Sequence, residues 1–476
     1  MLCRATVLHV PREPGLAAAR WNKEDTMNRI LRVLLATALA TLVAASVQAQ
    51  INNNPPGGNG PTGRGRGPGV EASVVTNVRS PEVNADNTIT FRLPAPNAKK
   101  VRVYTDMPKL GDTPVNGSAG FDMTKDANGV WSFTTPKLAP SYYQYWFEVD
   151  GLTTPDPQNT FVRPASGVYK SVVALPGKEA DFMMFRDVPH GNLIEHQYLN
   201  QLTKVARRVV VYTPPDYSTG NKKYPVVYLL HGANDYELGW TQTGMANTIM
   251  DNLIADKKAV PAIIVMPFGH EKTGAAGKQP EILALQKALG YTPPPPVARG
   301  TAPREGGAAA GSAPAGAPPA GAARGAGPGG PGFGISPSGW SMEKEMLDYV
   351  IPYVEKEFRV IKDKDHRAIM GYSMGGGHST SIGFGHPELF AYVGAFSGFG
   401  STNLLTADPA KTNKNYKMIF IGAGTEDTAV NGGRTMHDAL TKAGVKHMWS
   451  EDPGYGHDYQ IWRQYFYRLM QQTFRD

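Results

Sequence analysis

RAIMGYSMG, residues 367–375, is the stretch that decides the fold of most of this chain. It begins with apolar residues typical of a buried strand, it ends in the pattern G-x-S-x-G, and small helix-forming residues follow it. Glycine on each side of a serine permits a tight strand-to-helix turn that exposes the hydroxyl. The stretch therefore predicts an α/β fold with Ser373 as a nucleophile. Its place at the start of a helix favours developing negative charge.

Strands and helices alternate on both sides of this stretch, from about residue 186 to residue 476. The apolar runs predict strands at Arg207–Tyr212, Tyr224–Leu230, Ala262–Met266, Arg367–Gly371, Tyr392–Phe396 and Lys417–Ile421. The helical patterns lie at Met245–Ile254, Glu343–Phe358, after Ser373, at Gly433–Ala443 and at about Tyr459–Phe474. Such alternation predicts a layered α/β domain with a mostly parallel sheet.

A serine nucleophile needs a base, and in this kind of fold the order along the chain is serine, acid, histidine. Three histidines lie far enough after Ser373: His437, His447 and His457. The first lies in a helical pattern and the second in a strand. His457 follows the predicted strand at Lys446–Ser450 in a glycine-rich loop, and we therefore expect it to be the base.

The orienting acid is expected after the strand that precedes the base. The segment Met418–Gly424 runs into Glu426 and Asp427, and either carboxylate fits the position. Asp427 is favoured because a short carboxylate suits the tip of such a loop. Asp452 and Asp458 lie too close to His457 in sequence, and we expect them to be capping or surface acids.

An oxyanion needs preorganised donors, and two backbone amides are candidates. The first is that of Met374, and the second is that of Ala233, in the loop after the buried strand at Tyr224–Leu230. The chain lacks a dinucleotide fingerprint, a phosphate-binding loop and an H-E-x-x-H motif, and His378 and His386 flank a helix without carboxylate neighbours. We therefore expect no cofactor and no metal.

The segment before the α/β part is predicted to be all-β, from about residue 71 to residue 178. Short alternating runs separated by turns, such as that ending at Asp150-Gly151, indicate a β-sandwich of about 100 residues. Its aromatic residues either form a sugar-stacking face or fill the sandwich core: Trp131, Tyr143, Tyr145 and Trp146.

The amino-terminal residues predict secretion. Residues 27–49 have a basic start, an apolar stretch and small residues before Gln50, as in a signal peptide, so translation is expected to start at Met27. An uncleaved anchor is the alternative. The single cysteine, Cys3, would then be absent from the mature chain and could not be a nucleophile. Removing residues 1–49, which hold six Lys or Arg and three Asp or Glu, lowers the net charge from +7 to +4. With no basic cluster, a nucleic-acid partner is not expected, nor is a membrane partner after cleavage.

Two segments hold much of the chain's Gly and Pro. Residues 50–70 are predicted to be a flexible linker. A second segment, about residues 272–335, interrupts the α/β order, and 12 Gly and 10 Pro lie within the 42 residues 293–334. Such composition cannot bury enough apolar surface to fold, so we predict a disordered insertion in the α/β part.

Residues 186–476, apart from the insertion, resemble carbohydrate esterase family 1, the feruloyl and acetylxylan esterases, with esterase D and the siderophore-ester hydrolases as relatives. The stretches that carry this resemblance are RRVVVYTPPDY, YPVVYLLHGANDYELGW, DHRAIMGYSMGGGHSTSIGFGHPELFAYVGAFSG, IGAGTED and GHDYQIWRQYFY. The resemblance implies an α/β-hydrolase fold, the roles given above for Ser373, Asp427 and His457, and a place near the substrate cleft for Trp240.

The preceding residues resemble an immunoglobulin-like early-set module of the CBM48 type, on FRLPAPNAKKVRVY, GVWSFTTPKL and YYQYWFEVDGLTTPDPQN. Together the two resemblances imply a serine esterase that removes feruloyl or acetyl groups from plant polysaccharide or oligosaccharides, and the signal-like residues 27–49 predict that it is secreted or periplasmic. The alternatives are a siderophore or other small-ester hydrolase, and a carbohydrate-binding protein whose hydrolase domain is inert.

Overall fold

The computed structural model describes residues 78–107, 119–165, 168–200, 206–233, 235–270 and 341–475. The predicted signal peptide, the linker and the insertion lie outside these residues. No helix within the described ranges combines the length and the apolar character needed to cross a bilayer.

Ten short strands make up the amino-terminal part, where the sequence alternates between apolar and polar residues. They are β1 Glu82–Val83, β2 Ile89–Pro94, β3 Val101–Thr105, β4 Ala119–Asp122, β5 Thr124–Lys125, β6 Val130–Thr134, β7 Ser141–Val149, β8 Leu152–Thr154, β9 Val162–Ala165 and β10 Val168–Leu175. They form two antiparallel sheets, one ordered β1-β2-β6-β5 and the other β4-β3-β7-β10-β9, with β8 beside β7.

The two sheets share one hydrophobic core. Alternate residues of β7 enter it, and Tyr143, Tyr145 and Phe147 are each at most 1% exposed. Trp131 of β6 packs in the same core. The sugar-stacking interpretation is therefore wrong for Trp131, Tyr143 and Tyr145, because their rings fill the interior. Trp146 points to the opposite face, where it is also buried and stacks on Tyr104.

Eight strands form a single sheet in the rest of the chain. They are β11 Asn192–Leu199, β12 Ala206–Thr213, β13 Val226–Leu230, β14 Ile263–Pro267, β15 Arg367–Tyr372, β16 Tyr392–Phe396, β17 Met418–Gly424 and β18 Met448–Asp452. Their spatial order is β11-β12-β14-β13-β15-β16-β17-β18. The last six in this order are parallel, whereas β12 and β11 are antiparallel to their neighbours. The mostly parallel sheet is as predicted, but the edge strand β11 was not expected.

The helices cover both faces of this sheet. They are α1 Gly239–Gln242, α2 Ala246–Ala255, α3 Met342–Glu345, α4 Ile351–Glu357, α5 Met374–Gly385, α6 Asn403–Thr406, α7 Pro409–Asn415, α8 Val430–Ala443 and α9 Tyr459–Met470. One core lies between the sheet, α2 and α9, and a second core lies on the side of α4 and α8. A π-helical segment, Met346–Val350, joins α3 to α4, so the single helix predicted for residues 343–358 has three parts.

The sandwich packs directly on the α/β part. Tyr142 and Val172, on the outer face of its larger sheet, belong to the same core as α9. Arg463 of α9 donates to the Tyr142 carbonyl at 3.1 Å. These contacts join the two parts, and the division into domains of residues 71–178 and 186–476 stays a prediction.

The topology fixes where a site can form. Within the sheet, β14 lies beside β13 on one side and β15 lies beside β13 on the other, so the order of the strands reverses direction at β13. In open α/β sheets such a switch point leaves a crevice at the carboxyl ends of the strands, between the diverging loops. The loops after β13, β15, β17 and β18 all leave the sheet at that end.

The core between α9 and the sheet is expected to carry much of the stability. Leu469 is fully buried there, so Leu469→Ala removes packed methyl groups and leaves a cavity. We expect a loss of about 2–5 kcal/mol in the free energy of unfolding, measured by chemical denaturation. The control is Leu404→Ala, at a position 65% exposed, where we expect less than about 0.5 kcal/mol. Equal effects at the two positions would contradict this account of the core.

Candidate active site

Ser373 lies on a strained turn between β15 and α5. Its backbone has φ 53° and ψ −120°, a conformation that residues with a β-carbon rarely adopt. Such strain costs about 1–3 kcal/mol and persists only where the surroundings enforce it. The Ser373 amide donates to the Phe396 carbonyl at 2.8 Å, and the Gly377 amide donates to the Ser373 carbonyl at 3.1 Å. The turn therefore presents the half-buried serine side chain at the carboxyl end of the sheet.

The glycines on either side of this turn are required by close backbone contacts. A β-carbon on Gly371 would lie 2.6 Å from the carbonyl oxygen of Gly375. One on Gly375 would lie 2.5 Å from the carbonyl oxygen of Leu230 in β13. Both distances are too short for real atoms, so the G-x-S-x-G pattern is the sequence form of this packing.

His457 bridges Ser373 and Asp427. Its Nε2 lies 2.9 Å from the Ser373 Oγ, and its Nδ1 lies 2.9 Å from the Asp427 Oδ1. In the neutral ring the Nδ1–H donates to the carboxylate, and the Nε2 accepts from the serine hydroxyl. The ring of Trp462 lies nearly perpendicular to the imidazole, at a centroid distance of 5.1 Å. The structure thus brings together the three residues expected to act as nucleophile, base and acid.

The carboxylate of Asp427 is held in its charged form. Burial by itself would raise its pKa, but the hydrogen bond and the charge of His457 outweigh that effect, and the pKa is lowered. Ser397 and the Ala429 amide help, and the amide donates to Oδ1 at 2.7 Å. The side chain of Asp427 is fully buried, whereas that of His457 is 35% exposed. This geometry fixes the orientation of the imidazole and leaves its Nε2 side open to a reactant.

The other residues that the sequence left open lie elsewhere. Glu426 is exposed, and it is its neighbour Asp427 that contacts His457. The Nδ1 of His437 lies 2.8 Å from the Nε2 of His447, so these two histidines pair with each other. Asp458 caps α9 by accepting from the Gln460 amide at 2.8 Å, which is the capping role expected for it.

The two expected oxyanion donors flank Ser373. Met374 is the first residue of α5, where backbone amides lack partners within the helix. Ala233 follows Gly232, at which a β-carbon would lie 3.2 Å from the Ser373 Cβ. The loop after β13 therefore runs beside the serine, and the oxyanion role of both amides remains a proposal.

His231, whose side chain is buried, holds this loop in place through two hydrogen bonds. Its Nδ1 lies 2.8 Å from the Gly232 carbonyl, which only accepts, so the Nδ1 carries the proton. Its Nε2 then accepts from the Gly269 amide at 2.8 Å. Burial, and next the charge of His270, lower the pKa of His231 to about 4. The ring is thus neutral over the physiological range and keeps this pair of hydrogen bonds.

The structure corrects the expectation for Trp240. The family resemblance implied a place near the substrate cleft for this residue, but its side chain is fully buried. Its Nε1 donates to the Leu230 carbonyl at 3.0 Å. The indole packs against four aromatic rings: Tyr372, Phe396, Tyr459 and Phe466. Trp240 therefore supports the end of β13 from within the core and is not placed to contact a substrate.

Sequence reasoning missed a polar cluster behind the serine. Asp235 lies in the loop after β13, and its carboxylate accepts from the hydroxyls of Tyr372 and Tyr459 at 2.6 and 2.7 Å. Arg163 of the sandwich strand β9 pairs with the same carboxylate. Tyr372 is the variable position of the G-x-S-x-G motif, and no signal in the sequence joins it to Arg163. Among the described residues, no group of three or more His, Cys, Asp or Glu side chains is arranged to hold a metal ion.

This sheet, with a strained serine and a histidine–carboxylate pair at its carboxyl end, has the architecture of the α/β hydrolases. Residues 201–287 and 340–472 match the model of the esterase family described as "Putative esterase". The chain is similar to this esterase family over these two segments.

Among curated proteins, the chain is similar to an endo-1,4-β-xylanase/feruloyl esterase from Xylanibacter ruminicola. The two are 29% identical over 403 residues, which make up 83% of this chain and 46% of the relative. The chain therefore spans about half the length of that relative.

Solved structures also resemble this chain. Enterochelin esterase from Shigella flexneri superposes with a TM-score of 0.52 at 17% identity, over 82% of this chain and 93% of that one. A ferulic acid esterase from Anaeromyces mucronatus, solved with ferulic acid, has a TM-score of 0.44 at 22% identity, over 67% and 98% of the chains. The first match shows a shared fold. Its coverage of 82% of this chain is more residues than the segment 186–476 contains, so part of the match lies before residue 186.

The buried histidine gives a testable dependence of stability on pH. The pKa of His231 is about 4 when folded and near 6.5 when unfolded, so only the unfolded chain binds this proton in between. The stability that neutral His231 contributes is thus lost as pH falls from about 6.5 to 4. His231→Gln removes this titration. We expect the difference in unfolding free energy between wild type and variant to shrink by up to about 1.4 kcal/mol per pH unit over that window.

The measurement is chemical denaturation of both proteins at pH 7, 5.5 and 4.5. Taking the difference between the two proteins at each pH cancels the titration of the other groups. If the difference in unfolding free energy between the two proteins stays constant from pH 7 to pH 4.5, His231 is not a neutral residue with a lowered pKa.

Proposed function

We propose that this chain is a secreted or periplasmic serine carboxylic-ester hydrolase. The observation that carries the proposal is the pair of 2.9 Å contacts that join Ser373, His457 and Asp427 in series. A hydroxyl becomes a nucleophile when a base accepts its proton and a third group orients that base. The match of residues 201–287 and 340–472 to the esterase family model supports an ester as the substrate.

In the proposed reaction, the Ser373 Oγ attacks the ester carbonyl while its proton passes to the His457 Nε2. The charge that develops on the imidazole is stabilised by Asp427, whose lowered pKa keeps it ionised. The carbonyl oxygen becomes an oxyanion that the amides of Ala233 and Met374 hold. His457 then donates the proton to the leaving alcohol, and an acyl group remains on the serine.

Water completes the cycle by the same groups in reverse roles. His457 removes a proton from a water molecule that attacks the acyl carbon, and the proton is returned to the Ser373 Oγ as the acid leaves. Each step uses the oxyanion donors again, because a tetrahedral species forms twice. No cofactor or metal is needed for this chemistry.

For the substrate we propose feruloyl or acetyl groups on plant polysaccharide or oligosaccharides. The relative from Xylanibacter ruminicola, whose name includes feruloyl esterase, supports this choice over 83% of the chain. Hydrolysis of a siderophore or another small ester is the second candidate, since the fold shared with enterochelin esterase extends into the amino-terminal sandwich. A carbohydrate-binding protein with an inert hydrolase domain would not need the series of contacts from Ser373 to Asp427.

Two further proposals concern the rest of the chain. The sandwich, residues 71–178, is proposed to be an immunoglobulin-like early-set domain of the CBM48 type, which its two antiparallel sheets and single core support. Secretion is proposed from the signal-like residues 27–49.

Removing the nucleophile tests the proposed reaction. We expect Ser373→Ala to lower kcat/KM for p-nitrophenyl acetate by roughly 10⁴- to 10⁶-fold, because the substitution removes the hydroxyl that donates to the His457 Nε2. The matched control is Ser401→Ala, at an exposed serine, which should hydrolyse the ester at the wild-type rate. Full activity of Ser373→Ala would show that another group is the nucleophile.

A panel of three esters separates the substrate candidates: methyl ferulate, acetylated xylan and a catecholate trilactone. We expect the highest kcat/KM for methyl ferulate or for acetyl release from xylan, and little turnover of the trilactone. Preference for the trilactone by tenfold or more would favour the siderophore alternative.

A further inference from the structure

A buried ion pair joins the β-sandwich to the loop that bears one proposed oxyanion donor. An Nη2 of Arg163, on β9, lies 2.7 Å from the Asp235 Oδ1, and the two side chains are only 3% and 7% exposed. The guanidinium also donates to the Thr243 Oγ1 at 2.5 Å and to the Pro164 carbonyl at 3.0 Å. Arg163 is thus a charged side chain from the sandwich whose partners lie mainly in the α/β part.

Asp235 connects three loops of the proposed site. It lies two residues after Ala233, and its Oδ2 accepts from the hydroxyls of Tyr372 and Tyr459. Tyr372 directly precedes Ser373, and Tyr459 lies two residues after His457. The two hydroxyls are themselves 2.8 Å apart. One carboxylate therefore links the segments that carry the oxyanion donor, the nucleophile and the base.

The charge on this carboxylate depends on Arg163. Burial would raise the pKa of Asp235, and the positive charge of Arg163 comes first among the effects that lower it below its usual range. The nearby histidines and tyrosines are His231, His270, Tyr372 and Tyr459. Lys170 of β10 and Glu237, in the same loop as Asp235, also interact with it electrostatically. Both histidines have lowered pKa values and both tyrosines have raised ones, so these four rings are neutral near pH 7. Arg163 is thus the cation that hydrogen-bonds to this carboxylate, and the two tyrosine hydroxyls that also donate to it are neutral.

We propose that Arg163 is a positioning residue for the ester hydrolysis: from the sandwich, it fixes Asp235 and so holds the loops of the nucleophile, the base and the oxyanion donor in register. This inference rests on the proposed function. It makes the sandwich part of the catalytic apparatus rather than only a neighbour of it. A misplacement of the reacting groups by about 1 Å is enough to lower the rate of an enzymatic step by about 100-fold.

The test is Arg163→Met in the full chain, with p-nitrophenyl acetate as substrate. Methionine keeps a long apolar stem and removes the charge and all three hydrogen bonds. We expect kcat at pH 7 to fall by about 10- to 100-fold, while KM changes by less than about threefold, because the change acts on alignment and not on a group that touches substrate. Arg163→Lys, which keeps the charge but not the forked geometry, should retain more of kcat than Arg163→Met.

The pH profile distinguishes positioning through Asp235 from a general loss of structure. Without Arg163 the pKa of Asp235 rises, so the carboxyl is neutral at acidic pH and becomes an unpaired buried charge as pH increases. The ratio of variant to wild-type kcat should therefore fall as pH rises from 5 to 8. In the double variant Arg163→Met with Asp235→Asn, no charge can form at this place. That ratio should then be flat, and kcat at pH 8 should exceed that of Arg163→Met.

A matched control is Arg186→Met, which breaks another Arg–Asp pair, with Asp256, at a partly exposed position. It should leave kcat and its pH profile unchanged. The inference is overturned if folded Arg163→Met has wild-type kcat, or if it loses activity equally at every pH and the Asp235→Asn change restores nothing. If Arg163→Met does not fold, the test passes to the single variant Asp235→Asn, which removes the carboxylate that Arg163 fixes, and a wild-type kcat in the folded Asp235→Asn protein overturns the inference as well.

Failure of the proposed function gives a different result from failure of this inference. A wild-type protein that hydrolyses none of the esters contradicts both. An active wild type whose Arg163 variants behave like Arg186→Met contradicts the inference alone.

Discussion

The strained backbone of Ser373 is the constraint on which the rest of the site depends. At φ 53° the chain turns sharply enough to leave β15 and enter α5 within one residue. The strain is sustained by the hydrogen bond from the Ser373 amide to the Phe396 carbonyl on one side and by the close approach of β13 on the other. Because the sheet fixes this turn, the position of the Oγ is fixed as well. His457, oriented by Asp427, then has to reach a hydroxyl whose position is already fixed.

Buried residues of the α/β part and one residue of the sandwich support the loops around this turn. Trp240 and His231 secure the loop after β13 from inside the core, and both do so through hydrogen bonds to backbone. Asp235 ties the same loop to Tyr372 and Tyr459, with its charge balanced by Arg163 from the sandwich. The groups that would react are exposed or half-buried, whereas the groups that place them are buried. That division suits a site in which reacting groups must stay accessible while their alignment is kept by rigid elements.

The sequence carries information on local and periodic features, and the predictions were good where those decide the structure. The parallel strands follow from apolar runs, and Ser373, Asp427 and His457 were found because each follows a recognisable strand. Trp240 was misplaced because its position was inferred from the family resemblance alone, whereas its ring packs in a core formed in part by α9, more than 200 residues later in the chain. Arg163 has no local signal at all: its role depends on the packing of the sandwich against the α/β part. The faces of β7 could not be assigned either, since alternating aromatics fit a core and a binding surface equally well.

The central claim is that Ser373 is the nucleophile activated by His457, and covalent labelling tests it most directly. The intact protein would be treated with a fluorophosphonate probe and digested, and the modified residue would be identified by mass spectrometry. The account predicts a single adduct on Ser373, formed quickly in wild type and greatly slowed by His457→Ala. An adduct on another residue, or the absence of an adduct in a folded protein, would contradict it.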